Sequence, residues 1–275
     1  MKITLLGTGS PIPHPLRAGP ATLVEAGTAK LLFDAGRGVV IRLAAAGAVP
    51  SMLNAVLLTH LHSDHVCDLN DIVTTHWIMS PEPTVLRIVG PLGTRNFVEL
   101  TLAALATDVG YRVHHHGDLG EGPKIEVTEV RAGDHLEFGG VSVVVGATDH
   151  RPVEPTLGYR LSEGSSSVVI AGDGVPCSTL DELVDGATAY VQTVIRDDLV
   201  RLIPNRRLQD ILDYHSTVAQ AAATAERAGV QVLMLTHLVP PPMPGSEPEW
   251  HELASGFSGR VVLGDDLTSV DLGEL

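Results

Sequence analysis

The stretch that decides the fold is "VLLTHLHSDHVCDL", residues 56–69, in which an apolar run leads directly into a polar cluster. Valine and leucine open the stretch, as they do in strands that are buried on both faces. Four side chains that can bind a metal follow within six residues: His60, His62, Asp64 and His65. Imidazole and carboxylate ligands suit zinc, and also iron or manganese. The stretch therefore predicts a metal site at the end of a core strand.

The spacing inside this cluster is compatible with two metal ions. His60 and His62 can face the same side of an extended segment, because alternate residues of a strand share a face. We expect the chain to turn into a helix near residue 68, with Asp64 and His65 on the turn and facing a second ion. Pairs of ions about 3.5–4 Å apart are usual in two-metal hydrolases.

Three further apolar runs each lead to a residue that can bind a metal. They are residues 141–145 before His150, 168–171 before Asp173 and 232–235 before His237. Loops at one edge of a sheet can bring such side chains together from distant parts of the chain. The sequence therefore predicts that these residues join the first cluster. No cysteine is among them, which argues against a purely structural zinc site.

The composition is that of a folded, acidic protein. The 275 residues are 44% hydrophobic, and 33 acidic side chains against 18 basic ones give a net charge of −15. This charge works against sequence-independent binding to nucleic acid. The N-terminal apolar run is too short for a signal peptide, and no run approaches the length of a membrane span. We therefore expect a soluble, cytoplasmic protein.

Apolar strands and helices are mixed in two similar halves of the chain. This pattern predicts helices packed on the outer faces of two stacked sheets. No segment has the composition of a linker, so residues 1–275 are expected to form one domain. The proline-rich stretch 239–250 is predicted to be loop, and residues 110–136 give no clear assignment.

Several motifs resemble those of the metallo-β-lactamase superfamily, in particular its ribonuclease Z and arylsulfatase-like branch. "THLHSDH" is similar to the specific His-x-His-x-Asp-His signature of that superfamily. The other matching motifs, in the expected order, are "LLGTGSPIP…R", "LLFDAGRG", "DHRPVEPTLGYRL", "AGDG", "YHST" and "LTHLVP". The resemblance covers nearly the whole chain. It implies an α/β fold, a four-layer αββα sandwich with a dinuclear metal site at the edge of the sheets.

The resemblance also implies a role for each site residue. The ligands of one ion would be His60, His62 and His150, those of the other ion would be Asp64, His65 and His237, and Asp173 would bridge both. His215, in "YHST", matches a position that assists the leaving group in ribonuclease Z. Asp34, in "LLFDAG", matches a buried acid that orients a ligand imidazole.

Within this branch the resemblance leaves more than one activity open. Bacterial ribonuclease Z carries a long arm that grips tRNA, inserted between the residues that match His150 and Asp173. Residues 151–172 of this chain hold only a pair of strands, which leaves no room for an arm. Together with the acidic charge, this favours a dinuclear zinc-dependent hydrolase of small phosphate or sulfate esters, similar to phosphodiesterases and arylsulfatases. The alternatives are a ribonuclease Z-type endonuclease for tRNA 3′ processing and an iron-dependent oxidoreductase of the same fold.

The favoured hypothesis has a definite mechanism. A hydroxide that bridges two Zn²⁺ ions, with Mn²⁺ or Fe²⁺ as alternatives, attacks the ester. Asp64, or the bridging Asp173, accepts the proton of the nucleophile, and His215 donates a hydrogen bond or a proton to the leaving oxygen. His76, on the helix after the first cluster, is expected to border the substrate pocket. The expected partner is a small-molecule ester rather than nucleic acid or a membrane, and a second copy of the chain is a further expected partner because similar enzymes are often homodimers.

Overall fold

The computed structural model describes all residues from Met1 to Leu275, and its centre is a pair of seven-stranded sheets. The first sheet contains, in spatial order, β14 (Ser269–Asp271), β1 (Lys2–Gly7), β2 (Ala21–Ala26), β3 (Ala29–Phe33), β4 (Ala55–Leu57), β5 (Val85–Gly90) and β6 (Lys124–Glu129). The second contains β13 (Arg260–Leu263), β12 (Val232–Val239), β11 (Ala189–Ile195), β10 (Ser166–Ile170), β9 (Leu157–Glu163), β8 (Val141–Ala147) and β7 (His135–Phe138).

Helices connect the strands of both sheets. The α-helices are α1 (Val39–Ala45), α2 (Ser63–Val66), α3 (Leu69–Met79), α4 (Thr94–His115), α5 (Ser178–Val184), α6 (Asp197–Val200), α7 (Arg206–Gln209), α8 (Val218–Ala228) and α9 (Glu247–Leu253). Three short 3₁₀ helices span Pro50–Met52, Asp210–Asp213 and Leu272–Glu274. No helix combines the length and the apolar character that crossing a membrane requires.

Burial follows the predicted four layers. Side chains of both sheets, such as Leu57 and Val191, share one apolar core between the sheets. A second core lies where α5, α8 and α9 cover the outer face of the second sheet, and a third lies where α1, α3 and α4 cover the first. The αββα sandwich is therefore confirmed. The core that both sheets share supports the proposal that the whole chain forms one domain.

Parallel strands place the ends of several chain segments at the same edge. Strands β3 to β6 run parallel in the first sheet, and β10 to β13 run parallel in the second. The carboxyl ends of parallel strands meet at one edge of a sheet. The two sheets are joined at this edge, where the Leu238 amide donates to the Thr8 carbonyl over 3.0 Å.

Two segments differ from the sequence-based assignment. The stretch 239–250 was expected to be loop throughout, but α9 begins at Glu247. Proline is tolerated in the first turn of a helix, so Pro248 does not prevent it, and Trp250 anchors the helix because its side chain is only 1% exposed. The unassigned region 110–136 contains the end of α4, the edge strand β6 and the start of β7.

Candidate metal centre

The structure gathers the predicted ligands into one cluster that consists of two neighbouring groups. One group holds His60, His62, His150 and Asp173, and the other holds Asp64, His65 and His237. Within each group the donor atoms lie within 4.8 Å of one another. These are the two sets that the resemblance implies. A third set with the same closeness contains Asp173, His215 and His237.

Asp173 lies at the centre of the cluster. Its side chain is buried, and its Oδ2 lies 3.3 to 3.8 Å from ring nitrogens of five histidines, namely His60, His65, His150, His215 and His237. One carboxylate therefore contacts both groups of ligands, which is the position that a bridging ligand requires.

The first cluster of ligands sits where β4 leads into α2. His62 occupies the residue before α2, and Asp64 and His65 lie in the first turn of that helix. Helix α2 thus starts at Ser63, whereas the sequence predicted a turn at Asp64 and His65 and a helix only from about residue 68. The loop after β3 fixes this arrangement, because the Ala35 amide donates to the His65 carbonyl over 2.6 Å. A Cβ atom on Gly36 would lie 2.7 Å from the Asp64 carbonyl oxygen, so only glycine fits there.

His237 reaches the cluster through an irregularity inside β12. The sequence placed it after the end of a strand, whereas the strand continues to Val239. The register between β11 and β12 shifts between Thr193 and Ile195, and His237 has a φ of 50°. Such a bulge turns a side chain out of the regular alternation of a strand. The bulge therefore explains how a residue within a buried strand faces the metal cluster.

Asp34 holds one of the ligand rings. Its Oδ2 accepts from His65 Nδ1 over 2.8 Å, and its Oδ1 accepts from the Thr59 amide over 2.8 Å. Because Nδ1 of His65 is bound in this way, Nε2 faces the cluster. The geometry agrees with the role that the resemblance implies for Asp34.

Backbone carbonyls orient two further histidines. His150 Nδ1 donates to the Tyr214 carbonyl over 2.8 Å, and His215 Nδ1 donates to the Ile211 carbonyl over 3.1 Å. Each ring therefore directs Nε2 toward Asp173. Both carbonyls belong to one short segment, residues 211–214, so a single turn of the chain positions two imidazoles.

The electrostatic environment differs among the histidines. Burial lowers the pKa of His60, His62 and His150, which favours the neutral imidazole that binds metals. Burial also opposes a charge on His65, but Asp173 and Asp34 outweigh it and raise the pKa of that ring.

Asp173 is held in its charged form. Burial would raise the pKa of this carboxyl, yet the charges of His237 and His65 and the hydrogen bond from His215 hold its pKa well below the usual range. An ionised carboxylate is the form that binds a cation.

Unpaired buried atoms test whether these residues fit metal ions. Buried polar atoms almost always have a hydrogen-bond partner. Within the cluster, His65 Nε2, Asp173 Oδ1 and His237 Nδ1 have none. Imidazole and carboxylate donors of this kind, gathered from both sheets, match the donor set of two-metal hydrolytic sites. The residues present therefore fit a dinuclear metal site.

A cleft of about 300 Å³ opens onto the cluster. Its polar lining includes His62, Asp64, Asp173, His215 and His237, and its apolar lining comprises Ile12, Leu208, Ile211, Tyr214 and Val239. The sequence had not identified these apolar residues, although Tyr214 directly precedes His215 in "YHST". His76 is buried on α3 and is not among the residues that line the cleft, so the structure does not bring it to the substrate pocket.

Comparison with known proteins identifies the class. The family model described as "Beta-lactamase superfamily domain" matches residues 29–238. The fold is similar to the metallo-β-lactamase fold protein YhfI from Bacillus subtilis, with a TM-score of 0.75 and 22% identity over 98% of each chain. It is also similar to human tRNase Z, short form, with a TM-score of 0.71 and 22% identity over 99% of each chain. The protein is a member of the metallo-β-lactamase superfamily.

Similarity to a curated relative shows to which branch of the superfamily the chain belongs. The chain is 54% identical to "Ribonuclease Z" of Mycobacterium bovis (strain BCG / Pasteur 1173P2), over 99% of this chain and 98% of that one. Within the superfamily, the chain belongs to the ribonuclease Z branch. The prediction of a metal-dependent hydrolase of ester bonds is thereby confirmed.

Two expectations from the sequence are wrong. The favoured substrate, a small phosphate or sulfate ester, conflicts with the similarity to ribonuclease Z, and so does the expectation that nucleic acid is not the partner. The error came from the missing arm and from the net charge of −15, which were both taken as evidence against a tRNA substrate. The relative is matched over almost its full length, so the compact interval between His150 and Asp173 does not separate this chain from ribonuclease Z.

Proposed function

We propose that this protein is a ribonuclease Z-type endonuclease that removes the 3′ trailer from tRNA precursors. The observation that carries the proposal is the 54% identity to a ribonuclease Z along nearly the whole of both chains. The cluster of metal-binding side chains at the floor of an open cleft supports the proposal, because phosphodiester hydrolysis is a reaction of two-metal sites. The proposal includes a cytoplasmic location.

The proposed ligands are the seven residues of the two groups, with zinc as the proposed metal. They are His60, His62, Asp64, His65, His150, Asp173 and His237. Bound there, divalent cations would polarise a phosphoryl oxygen and lower the pKa of a water molecule. Zinc is favoured over manganese because most of these ligands are imidazoles.

Two residues of the cluster are proposed to handle protons. Burial tends to raise the pKa of Asp64, but the hydrogen bond from His237 together with the charges of His65 and His237 outweighs it, and the net effect is a lowered pKa. Asp64 is therefore ionised, the form that can accept a proton. His215 lies with Nδ1 on the Ile211 carbonyl and Nε2 3.3 Å from Asp173 Oδ2. Its Nε2 therefore faces the cleft floor, where it can protonate the leaving ribose oxygen.

The test is cleavage of a tRNA precursor by purified protein with measured metal content. The substrate is a transcript with a 3′ trailer, and the product end is mapped to the nucleotide. We expect one cut at the 3′ end of the tRNA body, and no cut in a matched transcript whose acceptor stem is unpaired. Absence of cleavage by protein that carries its metal would reject the proposed function.

A further inference from the structure

Most basic side chains of this protein are already engaged. The majority form ion pairs with carboxylates, and Arg95 and Arg160 donate to backbone carbonyls. The exposed basic side chains that have neither kind of partner are Lys2, Arg37, Arg206, Arg207 and Arg260. In a chain with a net charge of −15, these few groups are the cations free to bind an anion.

Two of the free cations lie beside the cleft. Arg206 and Arg207 begin α7, and the next residue, Leu208, lines the cleft above the metal cluster. Lys2 and Arg260 begin β1 and β13, and both strands run toward the metal edge, so these two residues lie at the opposite edge of the sheets. Arg37 lies in the loop after β3 at the metal edge, but neither it nor its neighbours Gly36 and Gly38 line the cleft. Arg206 and Arg207 are therefore the free cations that adjoin a cleft-lining residue.

The segment that carries this pair is fixed to the metal cluster. Ile211 and Leu212, just after α7, pack against buried Ile195, Val200 and Val239. The Ile211 carbonyl accepts from His215, and the Tyr214 carbonyl accepts from His150. These contacts hold α7 in a constant position relative to the reacting groups.

The chemistry of the segment suits a nucleic-acid strand. Guanidinium groups are always charged and bind phosphate oxygens through paired donors. The apolar side of the same segment, with Leu208, Ile211 and the half-buried Tyr214, faces the cleft, where bases can stack. Asp210 and Asp213 on the following turn are exposed and weaken long-range attraction, so the contact must be short-range.

We propose that Arg206 and Arg207 bind backbone phosphates of the tRNA precursor beside the cleavage position. The inference rests on the proposed function and adds the residues through which an acidic protein without a protruding arm contacts its substrate. Contacts to phosphate contribute affinity and register rather than sequence specificity. The arginine pair therefore acts in binding, and the reacting groups do not depend on it.

The test compares two double variants that lose the same charge. R206Q/R207Q removes the free pair at the cleft, and K2Q/R260Q removes two free charges at the opposite edge. For each variant we would measure metal content, thermal unfolding, binding of trailer-free tRNA across a salt series, and kcat/KM for precursor cleavage. We expect R206Q/R207Q to bind about ten-fold or more weakly, with the slope of log K against log salt reduced by about 1 to 2. We expect K2Q/R260Q to behave as the wild type.

Three outcomes separate the claims. Wild-type affinity and salt slope in R206Q/R207Q, with normal cleavage, would overturn the inference and leave the proposed function standing. An equal loss in K2Q/R260Q would also overturn it, because the effect would then follow net charge rather than position. A wild-type protein that carries metal but neither binds nor cuts the precursor would reject the proposed function, and this inference with it.

Discussion

The ring of His215 lies beside Asp173, in a position that allows either of two roles, metal ligand or proton donor. Its Nε2 lies 3.3 Å from Asp173 Oδ2, while Nδ1 is bound to a carbonyl. If it donates a proton to the leaving oxygen, His215→Ala should lower kcat for precursor cleavage by roughly 10²–10⁴-fold. Metal content, measured by elemental analysis, should stay at the wild-type value. His251→Ala, which removes an exposed imidazole on α9, is the control. Loss of metal in His215→Ala would identify His215 as a ligand instead.

Asp34 contacts the ring of His65 directly and reaches the ring of His60 through the Thr59 hydroxyl, which lies 3.0 Å from His60 Nδ1. Its carboxylate accepts from His65 Nδ1 at 2.8 Å, and its φ of 60° is a conformation that asparagine also tolerates. Asp34→Asn should therefore leave the backbone conformation unchanged but weaken the hydrogen bond that orients the His65 ring. We expect the metal dissociation constant to rise roughly 10–100-fold, the usual effect of losing such a partner.

The affinity would be measured by competition with a chromogenic chelator. Asp71→Asn, which neutralises an exposed acid on α3, controls for the change in charge. An unchanged dissociation constant in Asp34→Asn would show that His65 does not need its carboxylate partner.

At the scale of elements, α4 depends on a carboxylate from the neighbouring strand. Glu129, at the end of β6, accepts from the Gly93 amide over 2.8 Å and from the Arg95 amide over 3.1 Å. These backbone hydrogen bonds lower the pKa of Glu129, and the one from the Arg95 amide has the larger effect. Because the pKa is lowered in the folded state, the contribution to stability is present above the ordinary pKa of glutamate. It is lost as the pH falls through the folded-state value.

Glu129→Gln should therefore be less stable than the wild type at pH 7, with a difference that shrinks as the solution is acidified. The measurement is the free energy of unfolding in urea at a series of pH values. Glu137→Gln, at an exposed position on β7, is the control. A difference that stays constant with pH would mean that the carboxylate charge does not cap α4.

The sequence predicted the elements that follow simple patterns. The apolar runs before His60, His150 and Asp173 are strands or their extensions. The bulge that aims His237 was not predictable, because it depends on how β12 pairs with β11 rather than on local composition. Tyr214 and Leu208 escaped notice for a similar reason, since only tertiary packing brings their segment to the cleft.

At the scale of the whole molecule, the gathering of these histidines and aspartates could be predicted from the sequence, whereas the favoured substrate class was wrong. Histidines and aspartates at strand ends carry their own chemical signal, and the resemblance supplied the grouping. Substrate choice depends on surface charge and on which cations are free. Neither the net charge nor the short interval before Asp173 reveals that Arg206 and Arg207 have no acidic partner. Composition averages over the whole surface and does not show which individual cations are free to bind an anion.

The most direct measurement is anomalous X-ray diffraction from crystals of purified protein, collected on both sides of the zinc absorption edge. Two zinc-specific peaks are expected. One should lie among His60, His62 and His150, the other among Asp64, His65 and His237, and Asp173 should contact both. A single peak, peaks elsewhere, or no peak in protein that cleaves precursor tRNA would contradict the two-metal account.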